Sequence, residues 1–343
     1  MKRIGLIGYR GIVGNIVFNK IKKKLYDKKN LSFFLFGKKK DEKSGFYSEK
    51  NYNLILRCNV LIICKDVKYV SYLYKKILKK KKWKGYLIDS SSFFRGKKGS
   101  TLCLNPLNEK YIIERIKKKK KIFCGGNCTV SLMMIALKKI FLKNLVREIY
   151  CTTFQSISGA GYSYSNKVVK KLKDVFKKKI NNFYDINNFI IKSKDINLLP
   201  IIPWIGNDKN KPEEELKGEY ETNIILKNIG KKKVNVFSNC VRVSSIRCHS
   251  QSIFIKTNKE ISLSRFKKII KNNRNVSFID NDKKKTIKFL NPNFVSGKKK
   301  IFVGRTKKIK KKMFSIFTVG DQLIWGASEP LFKTLICILK NEK

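Results

Sequence analysis

A glycine turn between an apolar strand and a helix restricts what this chain can become more than any other feature. Arg3-Ile-Gly-Leu-Ile-Gly8 reads as a strand, Tyr9 to Gly14 as a turn and Asn15 to Leu25 as a helix. Glycine at Gly8, Gly11 and Gly14 permits a tight turn and a close backbone approach, and the helix N-terminus behind it can hold a pyrophosphate. The spacing is GxxGxxG rather than GxGxxG, so the weight comes from its context. Further short apolar strands follow at Leu31 to Phe36, Leu54 to Leu56, Val60 to Cys64, Tyr86 to Asp89 and Lys121 to Cys124, with a helix around Val70 to Leu78. Strands alternating with helices imply an α/β fold with a parallel sheet and crossover connections. The turn residues Gly8, Arg10, Gly11, Ile12, Val13 and Gly14 are therefore the expected dinucleotide contacts.

The residues after the second strand bear on which dinucleotide. An NAD site usually carries an acid there for the ribose 2′-OH. This chain reads Phe36-Gly37-Lys38-Lys39-Lys40. Cations at that point suit a 2′-phosphate, so NADP is the expected cofactor, with Lys38 beside it. Arg10 is the sharper ligand, because a guanidinium binds phosphate bidentately.

After Cys128 the pattern changes to an α+β one. Thr129 to Leu142 reads as a buried helix, and Lys167 to Phe176 and Leu263 to Lys271 as amphipathic helices. Glu148 to Phe154, Val234 to Phe237, Cys240 to Val243, Cys248 to Ile255 and Lys299 to Val303 read as strands, Lys307 to Lys312 as a solvated loop, and Gln322 to Leu339 as a final helix. The expected organisation is a dinucleotide-binding domain over 1–127, completed by a C-terminal helix over 321–343, and a catalytic domain over 128–320.

The formal net charge of +55 raises nucleic acid as a partner. The 68 lysines against 11 arginines are scattered rather than gathered into one tail, whereas nucleic-acid surfaces concentrate charge and favour arginine. General lysine enrichment is the better reading. No apolar run approaches the ~18–20 residues of a membrane helix. Met1-Lys2-Arg3 leads into a glycine-punctuated stretch rather than a leader, so the expected location is the cytoplasm. Nine cysteines without a CxxC pair, and a single histidine, argue against both a disulfide framework and a metal site.

Most of those thiols should be small core residues. Cys128 differs, because Gly125-Gly126-Asn127-Cys128-Thr129-Val130-Ser131 falls between a strand and a helix. Oriented amides at a helix N-terminus favour the thiolate, which is the nucleophile. Such a thiol needs a proton partner. The only imidazole is His249, in Ile246-Arg-Cys-His-Ser-Gln251. A lone histidine is more often structural, but beside a candidate nucleophile and a nucleotide fold the catalytic reading gains ground.

Six segments then line up in order: Gly-Tyr-Arg-Gly-Ile-Val-Gly (8–14), Gly-Gly-Asn-Cys-Thr-Val-Ser-Leu (125–132), Glu-Thr-Asn (221–223), Cys-Val-Arg-Val (240–243), Arg-Cys-His-Ser-Gln (247–251) and Phe-Thr-Val-Gly-Asp-Gln-Leu (317–323). In these the chain resembles bacterial aspartate-semialdehyde dehydrogenase from end to end. The resemblance implies a Rossmann-type NADP-binding domain with an α+β catalytic and dimerisation domain, and a homodimer formed through the latter. It implies NADPH-dependent reductive dephosphorylation of 4-phospho-L-aspartate to aspartate semialdehyde, a step of amino-acid biosynthesis, through a thioacyl group on Cys128 with His249 as acid/base. It further implies that Gln155 orients the substrate, Arg242 clamps its α-carboxylate and Glu221 meets its α-ammonium. Arg95 and Asn127 would hold the phosphate, and Ser158, Gly159 and Gln322 would contact the cofactor.

Three places depart from the pattern. Ile224 stands where the family has a phosphate-binding lysine, with Lys217 or Lys227 as substitutes nearby in sequence. Cys64-Lys65-Asp66-Val67 replaces a glycine-rich loop on the cofactor side, where bulk could crowd the nicotinamide. Gly37 and Lys38 replace small hydroxyl residues. Arg242 and His249 are seven apart, so an unbroken strand would set them on opposite faces; the shared role requires a turn or bulge near Ser244-Ser245. The rival readings are N-acetyl-glutamyl-phosphate reductase, which shares the chemistry, and a basic anion-binding or nucleic-acid-binding protein that has lost it.

Overall fold

The computed structural model describes residues 1–38, 45–176, 183–193, 200–206, 208, 210 and 212–342. The chain divides into two compact units. One comprises Met1–Leu145, Tyr220–Val234 and Gln322–Lys343, the other Val146–Glu219 and Asn235–Asp321.

Seven described strands build the first unit: β1 (Lys2–Ile7), β2 (Leu31–Gly37), β3 (Phe46–Ser48), β4 (Val60–Ile63), β5 (Tyr86–Asp89), β6 (Ser100–Cys103) and β7 (Ile122–Gly125). Their order is β3-β2-β1-β4-β5-β7-β6 and every pairing is parallel. Parallel sheets are covered on both faces, so their strands read as unbroken apolar runs rather than alternating ones. Val60-Leu-Ile-Ile63 is such a run and all four side chains are buried. On one face Ile4, Leu6, Ile62 and Ile88 pack with Val17 and Ile21 of the Ile12–Leu25 helix and with Leu331 and Leu335 of the Glu329–Asn341 helix. The order 3-2-1-4-5 reverses direction between β1 and β4. Ligands of open α/β sheets bind at such a switch point, outside the carboxyl ends of the strands.

Several sequence expectations need correcting here. Leu54 to Leu56 is helical, within Tyr52–Leu56, because the Asn51 side chain caps the segment by accepting from the Leu54 N–H at 3.2 Å. The buried helix expected over 129–142 breaks at Leu137 into Cys128–Ala136 and Lys138–Leu142. The Cys128–Ala136 helix lies in the first unit, as does Tyr220–Val234, although the sequence reading starts the second domain at 128.

Six described strands build the second unit: β8 (Val146–Gln155), β9 (Asn235–Arg242), β10 (His249–Thr257), β11 (Val276–Phe278), β12 (Ile301–Lys310) and β13 (Met313–Gly320), in the order β11-β12-β13-β10-β8-β9. The β8–β9 and β11–β12 pairs are parallel and the rest antiparallel. One face is apolar and buried, through Ile149, Ile253, Ile255, Phe314 and Ile316. Against it the Leu263–Lys271 helix lays Phe266, Ile269 and Ile270, a 3–4 spacing, with Phe266 stacked 4.2 Å from Phe314. Of the Lys307–Lys312 stretch only Lys311 and Lys312 form a turn; the rest is strand. Lys307, Lys308 and Lys310 pair with Ser315, Phe314 and Met313 in the β12–β13 hairpin, whose last residues are exposed on both faces. Lysines on an unpaired strand edge discourage pairing with another chain. Among the described residues no helix is long and apolar enough to cross a membrane.

Candidate active site

In the first unit the glycine turn sits after β1, at the switch point. Gly8 has φ +84°, and its carbonyl accepts the Gly11 N–H at 3.0 Å. A side chain on Gly14 would strike that same Gly8 carbonyl, which is backbone and cannot move aside. Gly11 caps the Ile12–Leu25 helix without a side-chain bond, so Ile12, Val13 and Gly14 open the helix with their amides toward the turn. The residues present thus fit a dinucleotide. Arg10 is exposed, with its guanidinium 5.3 Å from the Tyr9 ring centre, and Lys38 is exposed directly after β2. Lys39 and Lys40 lie outside the described residues.

One acid near the end of β2 escaped the sequence reading. The Glu49 N–H donates to the Gly37 carbonyl at 3.0 Å, which sets this residue beside β2. Its carboxylate is already held by Lys65 at 2.8 Å. The Lys65 stem runs close by Gly8, and Asp66 caps the next helix by accepting from the Tyr69 N–H at 2.8 Å. The departure at Cys64-Lys65-Asp66 is therefore an ordered element with a partner for each charge.

Cys128 opens the Cys128–Ala136 helix, which follows β7. Asn127 is the N-cap: its Oδ1 accepts from Thr129 N–H at 2.9 Å and Val130 N–H at 3.3 Å. The helix is buried on all sides from Thr129 to Ala136, so its start is held fast. A turn of π-helix, Ile324–Ser328, packs against it. A Cβ placed on Gly326 would come 2.6 Å from the Cys128 Cα, so only glycine fits under the thiol. Gln322, 2% exposed, precedes this turn.

Arg95 and Glu221 are bonded to one another. Arg95 donates from Nη1 to Glu221 Oε1 at 3.1 Å and from Nε to the Gly125 carbonyl at 2.9 Å. Glu221 Oε2 accepts the Asn127 N–H at 2.6 Å. Burial works against the Arg95 charge, but Glu221, with Cys124 and Cys128 adding to it, outweighs burial and holds the guanidinium protonated. Ile224, where a lysine was expected, is half-buried, and Lys217 is ion-paired with Glu214 at 3.0 Å. The other eight thiols are desolvated. Burial raises Cys58, Cys64, Cys103 and Cys240 to about 12 and Cys248 and Cys337 to about 11, and it raises Cys124 and Cys151 as well.

In the second unit the topology gathers the remaining residues at one end of the sheet. β8 ends at Gln155, β9 ends opposite it at Arg242, and β10, antiparallel to β8, begins at His249. The chain between Arg242 and His249 leaves the sheet, so they are not on one continuous strand. Its loop is pinned by Ile157 N–H to the Ser245 carbonyl at 2.8 Å and Ser158 N–H to the Ile246 carbonyl at 3.1 Å. The turn that the sequence required near Ser244-Ser245 is present. Arg242 donates from Nη1 to the Ser156 carbonyl at 2.9 Å, and Gln155 from Nε2 to Thr153 Oγ1 at 3.2 Å. His249 is fully buried. Arg242 and His249 both border Gly159, where a Cβ would lie 2.9 Å from Arg242 Nη1 and 3.2 Å from His249 Nε2. Burial first, and then the Arg242 charge, lower His249 to about 3.

Cys248, immediately before His249, has φ +71°, a conformation that L residues rarely adopt. Arg247 is fastened to the buried Asp321 by Nη2 at 2.8 Å, and the Gly297 N–H reaches the same oxygen at 2.7 Å. Neither Ser156 nor Asp321 was singled out from the sequence. The signal available was only their position next to Gln155 and Gln322.

A sheet of order 3-2-1-4-5 with a glycine turn at its switch point, joined in one chain to a mixed-sheet unit and carrying a thiol at a helix N-terminus, defines a dinucleotide-dependent dehydrogenase. Comparison with known proteins narrows the class. Residues 137–325 match the family model "Semialdehyde dehydrogenase, dimerisation domain". The chain is similar to aspartate semialdehyde dehydrogenase from Francisella tularensis at 32% identity, covering 99% of this chain and 100% of that one with a TM-score of 0.91. Aspartate semialdehyde dehydrogenase II from Vibrio cholerae complexed with ASA (17% identity, TM-score 0.79, 100% and 99% of the two chains) shares the fold. So does the enzyme from Candida albicans with NADP (16% identity, TM-score 0.70, 100% and 99%). The chain belongs to the aspartate-semialdehyde dehydrogenase family.

Proposed function

We propose that this chain catalyses the NADPH-dependent reductive dephosphorylation of 4-phospho-L-aspartate to L-aspartate 4-semialdehyde, with Cys128 as the nucleophile. The observation that carries the reading is Cys128 itself. It is the thiol that opens an Asn-capped helix, with Arg95 close enough to feel its charge. The helix amides and that cation favour the thiolate.

The thiolate attacks the acyl phosphate carbon, and phosphate leaves to give a thioacyl group on Cys128. Arg95 keeps its Nε on the Gly125 carbonyl while its Nη groups turn from Glu221 to the phosphate; Glu221, released, takes the substrate ammonium. One buried ion pair is exchanged for two. Arg242 takes the α-carboxylate through its guanidinium fork. His249 handles the proton at the substrate oxygen, and Gln155 orients the acyl group. NADPH, when bound, would supply the hydride for reducing the acyl group; Gly8 to Gly14 would hold its pyrophosphate, Arg10 and Lys38 its 2′-phosphate, and Ser158, Gly159 and Gln322 would serve its reacting end. With Glu49 neutralised by Lys65, the end of β2 presents cations rather than a ribose-binding acid.

The protein works as a homodimer in this reading. Tyr150, Phe237 and Phe254 form one row across β9, β8 and β10 on the open face of the mixed sheet, 40%, 52% and 38% exposed, and Tyr150 stacks on Phe237 at 5.0 Å. An aromatic row of this kind suits a self-complementary interface, and it lies within the segment matched by a dimerisation-domain model.

The full-length likeness to an aspartate semialdehyde dehydrogenase supports this reading over N-acetyl-glutamyl-phosphate reduction and over a basic nucleic-acid-binding protein. The test is the reverse assay: aspartate semialdehyde and phosphate with NADP, and separately with NAD, followed by nicotinamide absorbance. Reduction of NADP is expected. No reduction with either coenzyme, or turnover of only the N-acetyl-glutamyl substrate, rejects the reading.

A further inference from the structure

The Glu213–Asn228 helix brings Glu221 to Arg95, and in the first unit it carries a second polar side chain to the same place. Tyr220 reaches across to Gly96, the residue that follows Arg95. A Cβ on Gly96 would overlap the Tyr220 hydroxyl oxygen and lie 2.8 Å from its ring Cε1. Gly96 also has φ +73°, so glycine suits the position on both counts, and the tyrosyl hydroxyl rests on bare backbone next to Arg95. Tyr220 is 53% exposed, and among the described residues its hydroxyl has no hydrogen-bond partner. Arg95 is engaged at Nε by the Gly125 carbonyl and at Nη1 by Glu221, while its Nη2 donates to no protein atom among the described residues. Residues 220, 221 and 224 share one helix face, by their spacing of three and four. Ile224, one turn on from Tyr220, presents no donor. The Tyr220 hydroxyl and the Arg95 Nη2 are thus two open donors on neighbouring positions.

We propose that the Tyr220 hydroxyl is a phosphate-binding group, donating a hydrogen bond beside Arg95 to the phosphoryl group of the substrate, and to inorganic phosphate in the reverse direction. This deepens the reading of function given above and rests on it. A guanidinium supplies a planar fork for two phosphoryl oxygens. The tyrosyl O–H is neutral, can rotate about its C–O bond, and supplies a third donor. No proton is transferred and no bond to phosphorus is made or broken by Tyr220; the contact is one of binding alone. Gly96 and Tyr220 act as a pair, since any side chain at Gly96 would displace the hydroxyl. The phosphate subsite of this chain therefore has a neutral donor where a further cation was looked for.

Tyr220→Phe keeps the ring against Gly96 and removes only the hydroxyl. In the reverse assay the KM for inorganic phosphate is expected to rise about tenfold, the size of one hydrogen bond to a charged group. The KM values for NADP and for aspartate semialdehyde should stay within about twofold. An unchanged phosphate KM overturns the proposal. So does an equal rise in all three constants, which would mark Tyr220 as a packing residue. A second measurement needs no turnover. Arg95 lies close enough to Cys128 to feel its charge, so inorganic phosphate held there should shield that thiol from iodoacetamide. Peptide mapping separates Cys128 from the eight other free cysteines. The phosphate concentration that gives half-shielding should rise by the same factor in Tyr220→Phe. Equal shielding in both proteins, or none in the wild type, overturns the proposal. A wild type with no reverse turnover would instead reject the reading of function, and the shielding titration would still report on the Tyr220 contact.

Discussion

His249 is buried without charge, and that has a cost that can be measured apart from catalysis. In the unfolded chain the imidazole takes up a proton below its ordinary 6.5, whereas in the folded chain burial and Arg242 delay this to about 3. Between those values the unfolded state holds the extra proton, so stability rises with pH and is lost as pH falls. The slope for one such group approaches about 1.4 kcal/mol per pH unit. Urea midpoints between pH 6.5 and 5, above most carboxylate titration, are expected to fall in the wild type and to fall less steeply in His249→Gln. Equal slopes would show that the ring titrates normally in the fold. Desolvation raises each of the eight cysteines other than Cys128 and so favours their protonated thiols. The sequence pointed to Cys128 by its place between a strand and a helix, and to His249 by the lack of any other imidazole. The contact between Ser156 and His249 was not legible, because it depends on where a loop meets a side chain 93 residues away.

At the scale of elements, Cys128, the proposed nucleophile, is set by two features in addition to its helix. Asn127 supplies the cap, and the π-helical turn Ile324–Ser328 brings Gly326 beneath the Cys128 backbone. Single π-turns inside helices recur at functional sites. Gly326→Ala is expected to push Cys128 off position, with overpacking costing about 1–3 kcal/mol. Thiol alkylation should slow and kcat should fall, with NADP binding retained; wild-type alkylation rates would contradict the contact. The βα pattern of the first unit was readable, because strands covered on both faces carry continuous apolar runs. The three-residue β3 was not, since so short a strand has no period. The final helix was found, but not its π-turn, which gives no change in composition. The lysine-rich hairpin of β12 and β13 misled for a physical reason. Beyond Thr306 its side chains face solvent on both sides, so no alternation marks the strand.

On the scale of the whole molecule, the aromatic row Tyr150, Phe237 and Phe254 is the feature that a single chain leaves unexplained. If two copies cover it, Phe237→Asp places a charge in an apolar contact and should shift sedimentation from dimer to monomer. A wild-type protein that sediments as a monomer would remove the interface proposed for this face. The net charge of +55 works against both folding and self-association and is screened by salt, so the dimer should strengthen with ionic strength. The covalent route can be observed without following turnover. Intact-mass measurement of the protein mixed with 4-phospho-L-aspartate, in the absence of NADPH, should show the mass of one aspartyl group added to wild type, mapped by peptide digestion to Cys128, and none added to Cys128→Ser. An unmodified wild-type chain that still forms semialdehyde once NADPH is supplied, or an adduct that persists in Cys128→Ser, would contradict the assignment of Cys128 as the nucleophile.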